Sequence, residues 1–213
     1  MEVIQPNANK LLPPAPLWPV ADEISRQSFL WPSIPTGYAV LDELLPGGGW
    51  PQAAISEVFT AQPGIQELGL LIPTLVRMSR QGKWIAWVSS PYIPYGPNLA
   101  ALGIDVSKIL LVKTKQHDDT LCVVEQALRS GTCGAVLAWC EHSDSQQMRR
   151  LQLAARHGNT MGVIFRPVTE MDKPSIAELR LQLEGTSDSL AVNILKSQTS
   201  WPIGPVKLYG NTN

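Results

Sequence analysis

Charge is scarce in this chain. Asp, Glu, Lys and Arg make up 16% of its 213 residues and leave a net charge of −1. That balance excludes a dominant basic footprint for DNA or an anionic membrane and leaves room only for a local patch. Cysteine is also sparse: Cys122, Cys133 and Cys140 show no C-x-x-C spacing and no paired framework. Cys122 and Cys140 fall on apolar faces, so both are expected as buried free thiols, which suits a reducing compartment. No apolar run approaches the roughly 18 residues needed to cross a bilayer. No basic segment followed by a long apolar one marks a signal peptide. The expectation is a soluble, cytoplasmic protein. What the chain does have is apolar residues, 44% of the total, enough for the core of one α/β domain.

The stretch from Ala53 to Leu75 reads as a buried strand, a tight turn at Gly64 and a helix, the layout in which a phosphate loop holds a nucleotide. The chemistry of such a loop is missing. G-x-x-x-x-G-K-[ST] supplies backbone N–H groups, a cation for the phosphates and a hydroxyl for Mg²⁺. Here Gln66 and Glu67 stand where Lys and Ser/Thr are needed, and Pro63 deletes an N–H donor. This is a nucleotide-binding layout without the groups that bind nucleotide.

Residues 1–33 are a proline-rich arm containing Trp18 and Trp31, either a plain tail or a partner-binding segment. Gly37–Leu45 has helical spacing and is stopped by Pro46 and Gly47–Gly49, which read as a turn. Strands follow at Ala53–Thr60, Trp84–Ser89, Ile109–Val112, Gly134–Trp139 and Met161–Phe165. Between them lie helices at about Ile65–Arg80, kinked by Pro73, and at Pro97–Leu102. A third is capped by Asp118 or Asp119 and ended by Gly131, and a fourth is opened by Ser143 and Gln146 at capping-box spacing and runs to His157. Its exposed Arg149, Arg150 and Arg156 form either a solvated face or a partner patch. Leu179, Leu181 and Leu183, then Val192 and Ile194, alternate with polar residues as on half-exposed antiparallel strands. Buried strands alternating with helices specify a doubly wound, mostly parallel sheet flanked by helices, with antiparallel strands at the C-terminal edge. The domain reading is an arm (1–33), one core domain (34–198) and a tail (199–213).

Catalytic constellations are not apparent. Cys140, Glu141, His142 and Asp144 cluster after the fourth strand but have no ligand spacing of known geometry, so a loop and helix start is the plainer reading than a metal site. There is no G-x-S-x-G elbow. We expect no enzyme, no metal and no cofactor.

The segment Ile34–Pro167 nevertheless resembles the RecA core. IPTGYAVLDELLPGGGWPQAAISEVF, with Leu41, Asp42 and Glu57, is similar to RecA's entry into its phosphate loop, and Leu102–Asp105 to the connection between its second and third core strands. The resemblance would put the water-activating glutamate at Pro91 and the Mg²⁺-associated aspartate at Cys140, so catalysis is what is lost. Ile55–Val58, Ala127–Gly131 and Gly158–Val168 resemble the cell-division inhibitor SulA. The flanking block up to Pro51 and the strands at Leu179–Glu184 and Leu190–Lys196 resemble the related ImuA family. The ImuA resemblance implies a non-catalytic adaptor in SOS-induced error-prone translesion DNA synthesis, with an ImuB-like protein, a polymerase subunit and optionally RecA as partners. Trp201, Pro202, Leu208 and Tyr209 are then the expected partner-docking residues, because aromatic anchors dominate interfaces. The alternatives are a SulA-like SOS cell division inhibitor that binds FtsZ, and a residual nucleotide-binding regulator. The charge balance argues against direct DNA binding.

Overall fold

In the computed structural model, which describes residues 32–61, 65–186, 189–197 and 202–208, the alternation of apolar runs becomes one eight-stranded sheet. The described residues begin with β1 (Ser33–Ile34), α1 (Ala39–Leu44) and β2 (Trp50–Pro51). It continues through β3 (Ile55–Thr60), α2 (Ile65–Arg80), β4 (Trp84–Val88), α3 (Gly96–Ala101) and β5 (Ile109–Val112). Next come α4 (His117–Arg129), β6 (Cys133–Trp139), α5 (Ser145–Gly158) and β7 (Met161–Pro167). The last strands are β8 (Leu179–Thr186), β9 (Ser189–Lys196) and β10 (Ile203–Leu208). The spatial order is β10-β9-β8-β3-β7-β6-β4-β5. From β8 to β5 every pairing is parallel, and β9 and β10 are added antiparallel.

The central strands are buried on both faces because helices cover both, as crossover connections of a parallel sheet require. On one face Leu70, Leu71, Leu75 and Met78 of α2 pack on Val58, Ile85, Trp87, Leu137, Val163 and Phe165. On the other, Leu121, Val124 and Leu128 of α4 and Met148, Leu151, Ala154 and Ala155 of α5 pack on Ala86, Val88, Val136, Ala138 and Ile164. A buried side chain ties the second layer to the sheet: Gln152 of α5 accepts a hydrogen bond from the Ile55 amide at 2.9 Å.

The flanking segments are part of the same core. Leu41, Leu45 and Trp50 are buried with it, as are Leu179, Leu181, Leu183, Val192, Ile194, Val206 and Leu208. The glycine triplet is a turn: a Cβ on Gly49 would run into the Ile34 carbonyl oxygen. Ile203–Leu208, which the sequence reading assigns to the tail, is the edge strand β10.

Several boundaries differ from the sequence reading for local reasons. The capping box of α5 is Asp144/Gln147 rather than Ser143/Gln146, with Gln147 N to Asp144 Oδ1 at 2.7 Å and Asp144 N to Gln147 Oε1 at 2.9 Å. Both pairs have the same spacing, but a carboxylate gains more than a hydroxyl from the positive end of a helix. Neither Asp118 nor Asp119 caps α4: both lie in its first turn, after Gln116. Cys122 is exposed, and the buried thiols are Cys133 and Cys140. Leu121 and Val124, three residues and nearly one full turn apart, share the buried face, and residue 122, about 100° round from Leu121, faces out. Among the described residues no helix is long and apolar enough to cross a membrane.

Candidate functional site

Only part of the segment that the sequence reading compares with a phosphate loop can be followed in the structure. Of the turn itself, residues 62–64 and the Gln66 side chain lie outside what the structure describes. Glu67, in the first turn of α2, is buried and accepts a hydrogen bond from Trp139 Nε1 at 3.1 Å. This joins the start of α2 to the C-terminal end of β6. Trp139 in turn stacks on Trp87 of β4 (centroids 5.9 Å apart, planes 8° apart) and on Phe165 of β7 (4.6 Å, 25°). Three adjacent parallel strands therefore end in a continuous aromatic stack, an arrangement that the separate Trp and Phe positions in the sequence do not announce.

Above that stack lies a cleft of about 560 Å³. Its floor is Trp87 and Trp139. One wall is Leu68 and Ile72 of α2, the other Leu99 of α3 with Leu102 just after that helix, and the loop joining β4 to α3 forms the rim. On that rim Tyr92, Ile93 and Tyr95 are 62%, 73% and 73% exposed, an unusual density of solvent-facing apolar surface. Pro91 and Pro94 restrict the backbone between them, so the three side chains are presented by a stiffened loop. The cleft sits beyond the carboxyl ends of parallel strands, where open α/β sheets place their ligands. Its lining carries one carboxylate, Glu67, and Glu67 is joined to an indole. The described lining is otherwise apolar and aromatic apart from Ser90 and Asn98.

The cluster after β6 disperses. Cys140 is buried, and burial pushes its thiol up to about 11 against a weaker opposing pull from the Arg166 charge, so the sulfur is protonated at neutral pH. Asp144 caps α5, and His142 Nδ1 faces Glu170 Oε1 at 3.4 Å. Among the described residues no His, Cys, Asp and Glu group could hold a metal ion. Two of the three arginines of α5 are engaged, Arg150 with Glu125 of α4 and Arg156 with Glu178 at 3.0 Å, while Arg149 is exposed.

A buried ion network escaped the sequence reading. Glu57 of β3 receives Arg166 Nη1 at 2.6 Å and Arg180 Nε at 2.7 Å. The other end of Arg166 reaches Glu170 at 2.9 Å, and Glu170 also holds Lys173 at 2.8 Å. Glu57 and Arg166 are 109 residues apart, so only strand pairing brings them together. The network locks β3, β7, β8 and the turn at Val168–Glu170 (a short 3₁₀ helix) to one another. Of the docking residues expected from the tail, Pro202 is exposed and Leu208 is buried in the core, while Trp201 and Tyr209 lie outside the described residues.

Fold and site together define an α/β protein with a mostly parallel sheet and an apolar, aromatic cleft at its strand ends. Residues 53–162 match the family described as "Cell division inhibitor SulA". Relatives named "Cell division inhibitor SulA" include that of Edwardsiella piscicida, 32% identical over 101 residues covering 47% of this chain and 60% of that one. That of Photorhabdus laumondii is 32% identical over 114 residues, covering 54% of this chain and 64% of the relative. The crystal structure of SulA from Pseudomonas aeruginosa aligns with a TM-score of 0.46 and 26% identity, covering 55% of this chain and 99% of that one. The chain belongs to the SulA family. It spans about three fifths of the length of the Edwardsiella relative.

That finding corrects the expectation of an ImuA-type adaptor for translesion synthesis. The match falls on the SulA family, and nothing in it carries contacts with an ImuB-like protein, a polymerase subunit or RecA. The physical reason lies in the flanks that suggested ImuA. Leu41 and Trp50 before the matched region, and β8–β10 after it, extend and cover the common core.

Proposed function

We propose that this protein is a non-catalytic SOS-response inhibitor of cell division that acts by binding FtsZ and blocking its polymerisation. The observation that carries this reading is positional. Every residue lining the aromatic cleft, from Glu67 to Trp139, lies inside the 53–162 segment that matches the SulA family. We read the scaffold as a RecA-like, doubly wound sheet in which the nucleotide-binding end has become a protein-docking end. Glu67 and Trp139 close the phosphate position, and Tyr92, Ile93 and Tyr95 offer partner-facing anchors of the type that dominates interface energetics. A cytoplasmic location follows from that role.

The test is GTP-driven assembly of purified FtsZ, followed by sedimentation and light scattering. The wild-type protein at equimolar ratio is expected to lower the polymer fraction. The Tyr92→Ala/Tyr95→Ala double variant is expected to need at least about tenfold more protein for the same effect, an interface loss of about 1.4 kcal/mol. Both side chains are largely in solvent, so the variant keeps the wild-type unfolding midpoint. Wild-type protein that leaves FtsZ assembly untouched sinks the reading.

A further inference from the structure

The outer face of α5 carries cations and no carboxylate. Its exposed residues from the second turn onward are Arg149, Arg150, Leu153, Arg156 and His157, and Ser145–Gly158 contains no Asp or Glu. Residues three and four apart on a helix are neighbours, so Arg149 and Arg150 flank Leu153 one turn before it, and Arg156 and His157 one turn after it. Leu153 is 56% exposed at the centre of that ring. A solvated helix face commonly alternates charges of both signs at these spacings. Here one sign surrounds an apolar side chain.

Neighbouring elements hold two of these arginines in place. Arg150 pairs with Glu125 of α4, which Arg129 of the same helix also grips at 3.0 Å, and Arg156 pairs with Glu178 at 3.0 Å. Arg150 and Arg156 nevertheless remain exposed, and Arg149 makes no ion pair among the described residues. Four guanidinium groups therefore share two carboxylates, and the face keeps a positive excess in a chain whose net charge is −1. Asp118, Asp119 and Asp144 lie at the N-terminal ends of the two helices, so the excess belongs to the remaining turns of α5. A guanidinium already fixed by one carboxylate loses little freedom on meeting a second, which lowers the cost of binding.

We propose that the outer face of α5 docks an acidic amphipathic helix of a partner protein, with an apolar residue of that helix on Leu153 and its carboxylates on the surrounding arginines. Charge complementarity requires the acid. Leu153 favours a protein over a nucleic acid, because a phosphate backbone offers a leucine nothing apolar at the centre of the contact. A helix is the occupant because carboxylates three and four residues to either side of an apolar residue reproduce the spacing of the ring. α5 covers the face of the sheet opposite to α2, which walls the aromatic cleft, so the inference does not depend on FtsZ binding there.

The probe is a labelled helical peptide of about 18 residues, with one central leucine and glutamates three and four residues to either side. It is titrated with the full chain and followed by fluorescence anisotropy. In about 50 mM salt a Kd on the order of 100 μM is expected, and about 300 mM salt should weaken it at least threefold, because exposed charges are screened. Arg149→Glu should weaken binding at least about tenfold with an unchanged unfolding midpoint, since the side chain is in solvent. Leu153→Ser, and a peptide with serine for its leucine, should each weaken binding about threefold; the two together should lose no more than either alone, because both remove the same contact. Absence of saturable binding, an Arg149→Glu variant that binds like the wild type, or additive losses from the two leucines would each overturn the proposal. A DNA duplex of about 20 base pairs that displaces the peptide at lower concentration would overturn it too, marking the face as a nucleic-acid site.

Discussion

Arg166→Met should be the most damaging single change to stability outside the apolar core. Arg166 is almost fully buried and its guanidinium bridges two carboxylates, Glu57 at 2.6 Å and Glu170 at 2.9 Å. Methionine keeps much of the volume and removes the charge, so the loss reports on electrostatics rather than on a cavity. Glu57 is fully buried and would be left with Arg180 alone, at 2.7 Å. Breaking a buried ion pair from one side costs about 3–5 kcal/mol, because the remaining charge is desolvated without compensation. Arg180 retains part of that compensation, so about 3 kcal/mol is expected, or roughly 10 °C in Tm for a chain of this size. Urea unfolding followed by tryptophan fluorescence is the assay, with the slope unchanged and the midpoint lowered. Adding Glu57→Met to Arg166→Met removes the stranded carboxylate, and the double variant should recover about 1–2 kcal/mol relative to additivity. A loss below about 1 kcal/mol for Arg166→Met, or additive losses in the double variant, would refute the reasoning that these strands are locked by charge.

The same network and its surroundings support further tests. Glu170 is held below the ordinary carboxylate value of 4.5, first by its hydrogen bond from Lys173 and then by the Lys173, Arg166 and His142 charges. Its contribution to stability is therefore complete above pH 4.5 and is lost as pH falls through the lowered folded-state value; in Lys173→Met the acid limb of the stability–pH curve should move to higher pH. Gly158→Ala should cost more than about 2 kcal/mol, since a Cβ there would collide with the Leu128 carbonyl where α5 crosses the end of α4, and melting in urea reads it. Thiol titration of the native protein at pH 8 should label Cys122 within seconds to minutes. Cys140, buried and with its thiol pushed up to about 11, should react only in denaturant; fast native labelling of Cys140 would contradict its placement.

The strands and helices were legible because each obeys a local rule. α2 begins and ends where the sequence places it, at Ile65 and Arg80, and β5 is Ile109–Val112 as read. Where two candidate caps compete one residue apart, as Ser143 and Asp144 do, spacing alone cannot choose between them, and the helix dipole decides for the carboxylate. What could not be read was whatever depends on strand order. Trp87, Trp139 and Phe165 come from three chain segments that stack only because β4, β6 and β7 are neighbours. Glu57, Arg166 and Arg180 look like three unrelated charges until β7 and β8 are laid on either side of β3. Cys122 was misplaced for a smaller reason: on an amphipathic helix one residue separates the buried stripe from its solvent edge.

The buried Glu67 carboxylate and the aromatic cleft are parts of one arrangement. A helix that receives phosphate must keep its first turn open to an anion and its strand ends free of bulk. Here the first turn of α2 holds Glu67, and that buried carboxylate is tolerable only with a strong donor close by. The Trp139 indole is such a donor, which commits a tryptophan to the end of β6. Once there, Trp139 stacks on Trp87 and Phe165 and becomes the floor on which Tyr92, Ile93 and Tyr95 form a rim. Removing the carboxylate with Glu67→Leu leaves the indole N–H without that acceptor and should loosen the cleft before it affects the sheet. The expected sign is a red-shifted tryptophan emission at nearly unchanged Tm. An unchanged spectrum would mean that the Glu67–Trp139 bond does not hold the cleft together.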